Sequence, residues 1–338
     1  MRFRALALAL AIAVATLTVG VRLGTTEPHT PTVRSEREMP AASGAETTTF
    51  LVRYETHRQR DRARRTWRAA GAITRSVELF PGLILSGGPA DPGALLRDNG
   101  AVTVTVAGND SLQPLSDDPM RVDASSAERQ QVDVYVVDSG VDWQAAGVQG
   151  HVAHGWSAHN DRATSDCAGH GTEVARTVLQ STTVSVRIVP VRVVTCDGRT
   201  SLSALILALD WISRQSGVSK SVVNASLRMR QSAPLNLAVR KLAATGARVV
   251  VSAGNDEQDA CNFSPGSARA AVTVGVGSAQ AGPAANGNGG PCVDIWVPMR
   301  VIEAYGGPSD GTARTSLAAA YVSGRLATTI ERALSGSP

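Results

Sequence analysis

Four residues in this chain stand in settings that suit acyl chemistry by a hydroxyl nucleophile: Asp138, His170, Asn255 and Ser316. A serine hydroxyl is a weak nucleophile until a neighbouring base takes its proton. Asp138 ends the strand-forming run from Val132 to Val137 and precedes Ser139-Gly140. A carboxylate at the C-terminal end of a buried parallel strand sits where open α/β sheets place their chemistry, although Asp-Ser-Gly by itself also reads as a turn. His170 lies between Gly169 and Gly171, directly before Thr172 and a helical stretch, so the pattern predicts an imidazole at a helix start. Asn255 follows Gly254 at the end of a second buried strand, "ARVVVSAGND". Ser316 opens an Ala-rich helix. The helix amino terminus lends partial positive charge and unpaired N–H groups to whatever forms at that hydroxyl.

Each element alone is a weak signal; in this order, at intervals of 32, 85 and 61 residues, they are specific. The constellation resembles the subtilisin-like serine proteases, whose chain order is Asp, His, Ser. "DSGVD" is similar to that family's aspartate motif, "GHGTEVA" to its "GHGTHVA", "SAGN" to its oxyanion-hole segment and "RTSLAAAYVSG" to its "GTSMAAPHVAG". The resemblance covers about residues 130–335. It implies an α/β fold, a mostly parallel sheet with helices on both faces, and a serine endopeptidase. Under it Ser316 attacks, His170 takes and returns the proton, and Asp138 holds the imidazole's tautomer. Asn255 donates to the oxyanion beside the Ser316 N–H, a donor worth about 3 kcal/mol of barrier. "VVNASLRM" resembles the family's substrate strand, so Ser226, Leu227 and Arg228, with Ala253 and Gly254 of "SAGN", are expected to bind an extended peptide by strand addition. This chemistry requires no metal or organic cofactor.

The four cysteines allow three connectivities by sequence. Their similarity to the proteinase K and aqualysin-like branch implies Cys167–Cys196 and Cys261–Cys292, each closing a loop worth roughly 3 kcal/mol. "CVDIW" aligns Asp294 with a carboxylate that binds calcium in that branch; the alternative is a salt-bridged or capping aspartate. Several residues depart from the family pattern. Glu173 replaces the usual second histidine, and Arg176 a small residue. Arg228 and Met229 replace two glycines that shape the substrate pockets, so either Arg228 narrows specificity toward acidic residues or it points to solvent. Arg314 replaces a glycine two residues before the nucleophile, and Ala320 a proline four after it, which would let the helix start shift.

The rest of the chain sets the context. Apolar residues make up 43% and charged residues 18%, a globular balance that excludes collagen-like, coiled-coil and wholly disordered architectures. The net charge is only +4, aromatics are 4%, and no basic run is interleaved with aromatics, which speaks against a nucleic-acid partner. Residues 1–25, two arginines and then an apolar run, read as a secretory signal; the alternative is an anchor through residues 5–21. An even number of cysteines without CxxC fits secretion rather than a zinc site. Residues 26–47 read as a linker. Residues 48–115 alternate strand, helix, strand pair, helix, strand, with Asp91-Pro92 starting the second helix, which predicts a small ferredoxin-like α+β module. By resemblance it is an inhibitor-type propeptide, a partner of the 116–338 catalytic domain until cut between about Leu115 and Ser126. The expected product is a monomer acting on proteins or peptides, without stable membrane insertion once the signal is cleaved. Two further readings stay open: a non-proteolytic binding or regulatory protein that retains the module, and an amine-preferring acyl transferase, motivated by Ala320.

Overall fold

The computed structural model describes residues 48–87, 94–95, 100–108, 131–159, 161–306 and 314–336, with the backbone of 33–34. The expected signal, most of the expected linker and the expected cleavage segment lie outside the described residues.

The amino-terminal module is a five-stranded sheet in the order β1-β5-β2-β4-β3: β1 (Val33–Arg34), β2 (Thr49–Tyr54), β3 (Ile73–Val77), β4 (Gly82–Ser86) and β5 (Ala101–Gly108). All its pairings are antiparallel except β1 on β5, a two-residue strand inside the segment read as linker. Helix α1 (His57–Ala69) starts three residues before the arginine-rich stretch that suggested it. Thr56 and Gln59 form a capping box there, a T-x-x-Q signature that satisfies two helix-end donors. Of the helix expected after Asp91-Pro92, only Ala94 and Leu95 are described, and they are helical. Period-two alternation gives the sheet two apolar faces. Phe50, Val52 and Tyr54 pack with Ala63 of α1, while Leu51, Val77, Phe80 and Ile84 join the core of the larger domain.

That domain is built on an eight-stranded sheet. In chain order its strands are β6 (Val132–Asp138), β7 (Trp156–Ser157), β8 (Val186–Arg192), β9 (Val222–Ala225), β11 (Arg248–Ser252), β13 (Val272–Ser278), β14 (Gly282–Pro283) and β15 (Ile295–Val297). The short β10 (Met229–Arg230) and β12 (Phe263–Ser264) form a separate antiparallel pair. The sheet runs β14-β13-β11-β9-β6-β8-β7 with β15 beside β13, and only β13–β14 is antiparallel. Strands buried on both faces read as continuous apolar runs, as "VDVYVV" does. Within β6, Val132, Val134 and Val136 face one cluster and Tyr135 and Val137 the other. The first cluster is covered by α2 (His170–Ser181) and α6 (Thr315–Ser335), and the second by α3 (Leu202–Ser213) and α4 (Ala233–Ala243). The short α5 (Met299–Ala304) adds Ile302 to the first. Thus the sheet is mostly parallel with helices on both faces.

Candidate active site

Asp138 is the last residue of the central strand β6 and is 2% exposed. Its Oδ1 accepts the Ser139 N–H at 2.7 Å and lies 2.8 Å from His170 Nδ1. With Nδ1 on the carboxylate, the imidazole presents Nε2 on the opposite edge of its ring. His170 is the first residue of α2, and two glycines let its loop nest against that of Asp138. A Cβ on Gly171 would stand 2.1 Å from the Gly140 carbonyl oxygen, and one on Gly140 would stand 2.2 Å from that of Ser165. Burial lowers the His170 pKa, but the hydrogen bond and charge of Asp138 outweigh it. Glu173 adds to the rise and Arg314 opposes it, leaving the pKa above the ordinary imidazole value.

Asp166, which sequence reasoning passed over, fastens the two loops. Its Oδ1 accepts from Ser139 Oγ and the Gly169 N–H, both at 2.8 Å. Its Oδ2 accepts the Thr172 N–H at 2.8 Å and Thr172 Oγ1 at 2.6 Å. Helix α2 thus gains the cap that its N-cap, Gly169, cannot supply. Burial raises the Asp166 pKa, but these four bonds prevail and hold it below the ordinary carboxylate value. An aspartate three residues before a helix-opening glycine was the available signal.

Ser316 is the second residue of α6, so its N–H is among the four that a helix leaves without an intrahelical acceptor. Thr315 ties this turn to Asn255: its N–H and Oγ1 donate to Asn255 Oδ1 at 3.2 and 2.9 Å. A backbone N–H can face only an acceptor, which fixes the carboxamide with its NH2 turned the other way. Asn255 is exposed and lies beyond the strand expected to end on it. Strand β11 stops at Ser252, and Gly254 at φ 103° turns the chain out of the sheet. The Gly254 N–H donates to Thr315 Oγ1 at 3.2 Å, and Ser226 Oγ lies 3.2 Å from the Ser316 carbonyl oxygen. Asn288, fully buried, secures the loop: its Oδ1 accepts the N–H groups of Asp256 and Gln258, and its Nδ2 donates to the Ala253 carbonyl.

Several of the departures from pattern form ion pairs, and Arg176 donates Nε to the Ala146 carbonyl at 3.0 Å. Arg314 Nη2 lies 2.5 Å from Glu173 Oε2. Its φ of −120° is open to any residue, so no glycine is required there. Arg228 neither receives a free acid nor points wholly to solvent. It ion-pairs Asp256 and lies over the Phe263 ring at 5.0 Å, with Leu227 half-buried beside it. Ala320 is fully buried within α6, which still begins at Thr315. Cys167 bonds Cys196 and Cys261 bonds Cys292. Asp294 Oδ2 accepts the Thr273 N–H at 2.8 Å, the capping alternative. Among the described residues no group of three or more His, Cys, Asp or Glu side chains could hold a metal ion.

A mostly parallel α/β sheet thus carries an Asp–His pair at the end of β6, and a serine opens helix α6. Residues 129–338 match the model of the Subtilase family, and the chain belongs to that family. It is 35% identical over 213 residues to an alkaline serine exoprotease A of Vibrio alginolyticus, covering 61% of this chain and 40% of that protein. It is 37% identical over 204 residues to an extracellular serine proteinase of Thermus sp. (strain Rt41A), covering 58% and 50%. The chain thus spans about half the length of the curated relatives it matches. A crystal structure of a cold adapted subtilisin-like serine proteinase aligns with TM-score 0.50 at 33% identity, over 60% of this chain and 76% of that one.

Proposed function

We propose that the chain is a secreted serine endopeptidase that hydrolyses peptide bonds. Ser316 Oγ attacks the scissile carbonyl carbon while His170 Nε2 takes its proton. Asp138 stabilises the imidazolium, and Asn255 Nδ2 and the Ser316 N–H receive the oxyanion. Collapse of the intermediate breaks the C–N bond as His170 protonates the leaving amine; water then repeats the sequence on the acyl-enzyme. The observation that carries this reading is the 2.8 Å bond from a buried strand-end carboxylate to a helix-opening histidine. Replacing Ser316 by Ala should lower kcat/KM on peptide substrates by at least about 10⁴-fold. Unchanged hydrolysis would contradict the assignment.

The 48–115 module is proposed as an inhibitor-type propeptide, so the chain is made as a zymogen. A second reading, a binding protein that keeps this module, draws on the core that Leu51, Phe80 and Ile84 share with α3. The Glu78 and Leu79 N–H groups also donate to Asp210 Oδ1 at 2.6 and 2.8 Å. A secreted product that retains the module and cleaves nothing would favour it.

A further inference from the structure

Strands β9 and β11 are parallel neighbours, with Ala225 level with Val251. Past their ends the chain continues as segments 226–228 and 253–255, both bonded to the nucleophile's turn through Ser226 and Gly254. On the peptidase reading, with a carbonyl received by Asn255 and the Ser316 N–H, the side chain on the acyl side is placed over the gap between these segments.

Arg228 crosses that gap. Its Cδ lies 3.1 Å from where a Cβ on Gly254 would stand, so its stem packs against that glycine beside the Asn288 carboxamide. Its guanidinium is ion-paired with Asp256 and lies 5.0 Å from the Phe263 ring centroid. Asn288, fully buried, holds the Asp256 backbone from below. The cation is thus already neutralised, and its side chain, 42% exposed, spans the two segments.

We infer that Arg228, pinned by Asp256, closes the subsite for the side chain on the acyl side of the scissile bond, so that the enzyme cleaves after small residues such as Ala. The inference rests on the peptidase reading. Asp256 is also what keeps Arg228 from recruiting an acidic side chain.

The test uses the full chain and tetrapeptide p-nitroanilides that differ only in Ala, Phe or Glu before the scissile bond. A fluorophosphonate label on Ser316 reports an intact centre in each variant. The wild type should favour Ala over Phe by at least about tenfold in kcat/KM, and Arg228→Gly should shift that ratio toward Phe by at least about tenfold. Asp256→Ala should raise Glu relative to Ala by about fivefold. A wild type that prefers Phe, or labelled variants with unchanged ratios, would overturn the inference. Absence of label from every form, wild type included, would instead overturn the peptidase reading and the inference with it.

Discussion

Arg314 and Glu173 form an ion pair that joins the residue two before Ser316 to the residue three after His170. Each fills a position where the subtilisin-like pattern carries something else, so two departures that look damaging separately offset each other. The pair links the starts of α2 and α6, the two helices that present His170 and Ser316. Both side chains are about one third exposed, at 33% and 36%, so the direct gain in stability is small, about 0.2–1 kcal/mol. Its larger effect is on charge around the imidazole.

That effect has a sign. The His170 pKa is raised, so the protonated imidazole favours the fold at pH values below the unfolded pKa, near 6.5, and the contribution is lost as pH rises through the folded value. On the proposed mechanism activity runs the opposite way, because His170 must be neutral to act as base. Glu173 raises this pKa, so Glu173→Gln should move the acidic limb of the kcat/KM profile to lower pH. Arg314→Gln should move it to higher pH. Charge reversal, Glu173→Arg with Arg314→Glu, should recover stability lost in either reversed single variant. Coincident acidic limbs for all forms would refute the coupling.

Asp166 is expected to be the most sensitive residue outside the four assigned to chemistry. Asp166→Asn should cost about 1 kcal/mol through the lost helix cap, a fall in Tm of about 2–4 °C. It should also lower kcat by about tenfold with KM little changed, since the loops carrying Asp138 and His170 lose their common fastener. The folded Asp166 pKa is depressed, so its contribution is present above the unfolded value, near 3.9, and is lost as pH falls through the folded one. A variant with wild-type kcat would remove Asp166 from the account.

The Cys167–Cys196 bridge ends three residues before His170. Arg192, 4% exposed, donates Nη2 to both sulfurs at 3.2 and 3.4 Å and Nη1 to the Ser165 carbonyl at 3.0 Å. Replacing both cysteines by Ser should cost about 3 kcal/mol in denaturant unfolding. Activity should fall further than in the matching Cys261→Ser, Cys292→Ser variant. Equal activity loss in the two pairs would show that proximity to His170 does not matter.

Chelation provides an independent check. With Asp294 committed to the Thr273 N–H, excess chelator should leave Tm unchanged. A large fall would instead support a bound calcium, with Asp294 the first candidate among its ligands.

The site was legible to the extent that each element announces itself locally. Val132–Asp138 is a doubly buried strand ending in a carboxylate, and Thr315–Ser335 is a small-residue helix whose second residue is the serine. What the sequence hides is partnership across distance. Nothing local to Glu173 names Arg314, 141 residues away, and nothing at Arg228 names Asp256. Short punctuation was also hard to place. Asn255 reads as a strand end until the positive φ of Gly254 is seen to eject the chain, and α1 begins at a capping box rather than at its arginines. Across the amino-terminal module the order of strands and helix was readable because apolar alternation persists. The seating of that module on α3 was not, because Asp210 and the backbone of Glu78 and Leu79 meet only in three dimensions.

The most direct measurement is mass spectrometry of the expressed full chain beside its Ser316→Ala variant, each treated with a fluorophosphonate probe. The wild type should be cut between about residues 115 and 126 and labelled at Ser316, and the variant should be neither. A wild type that stays uncut and unlabelled, or a variant processed like the wild type, would contradict the proposed function.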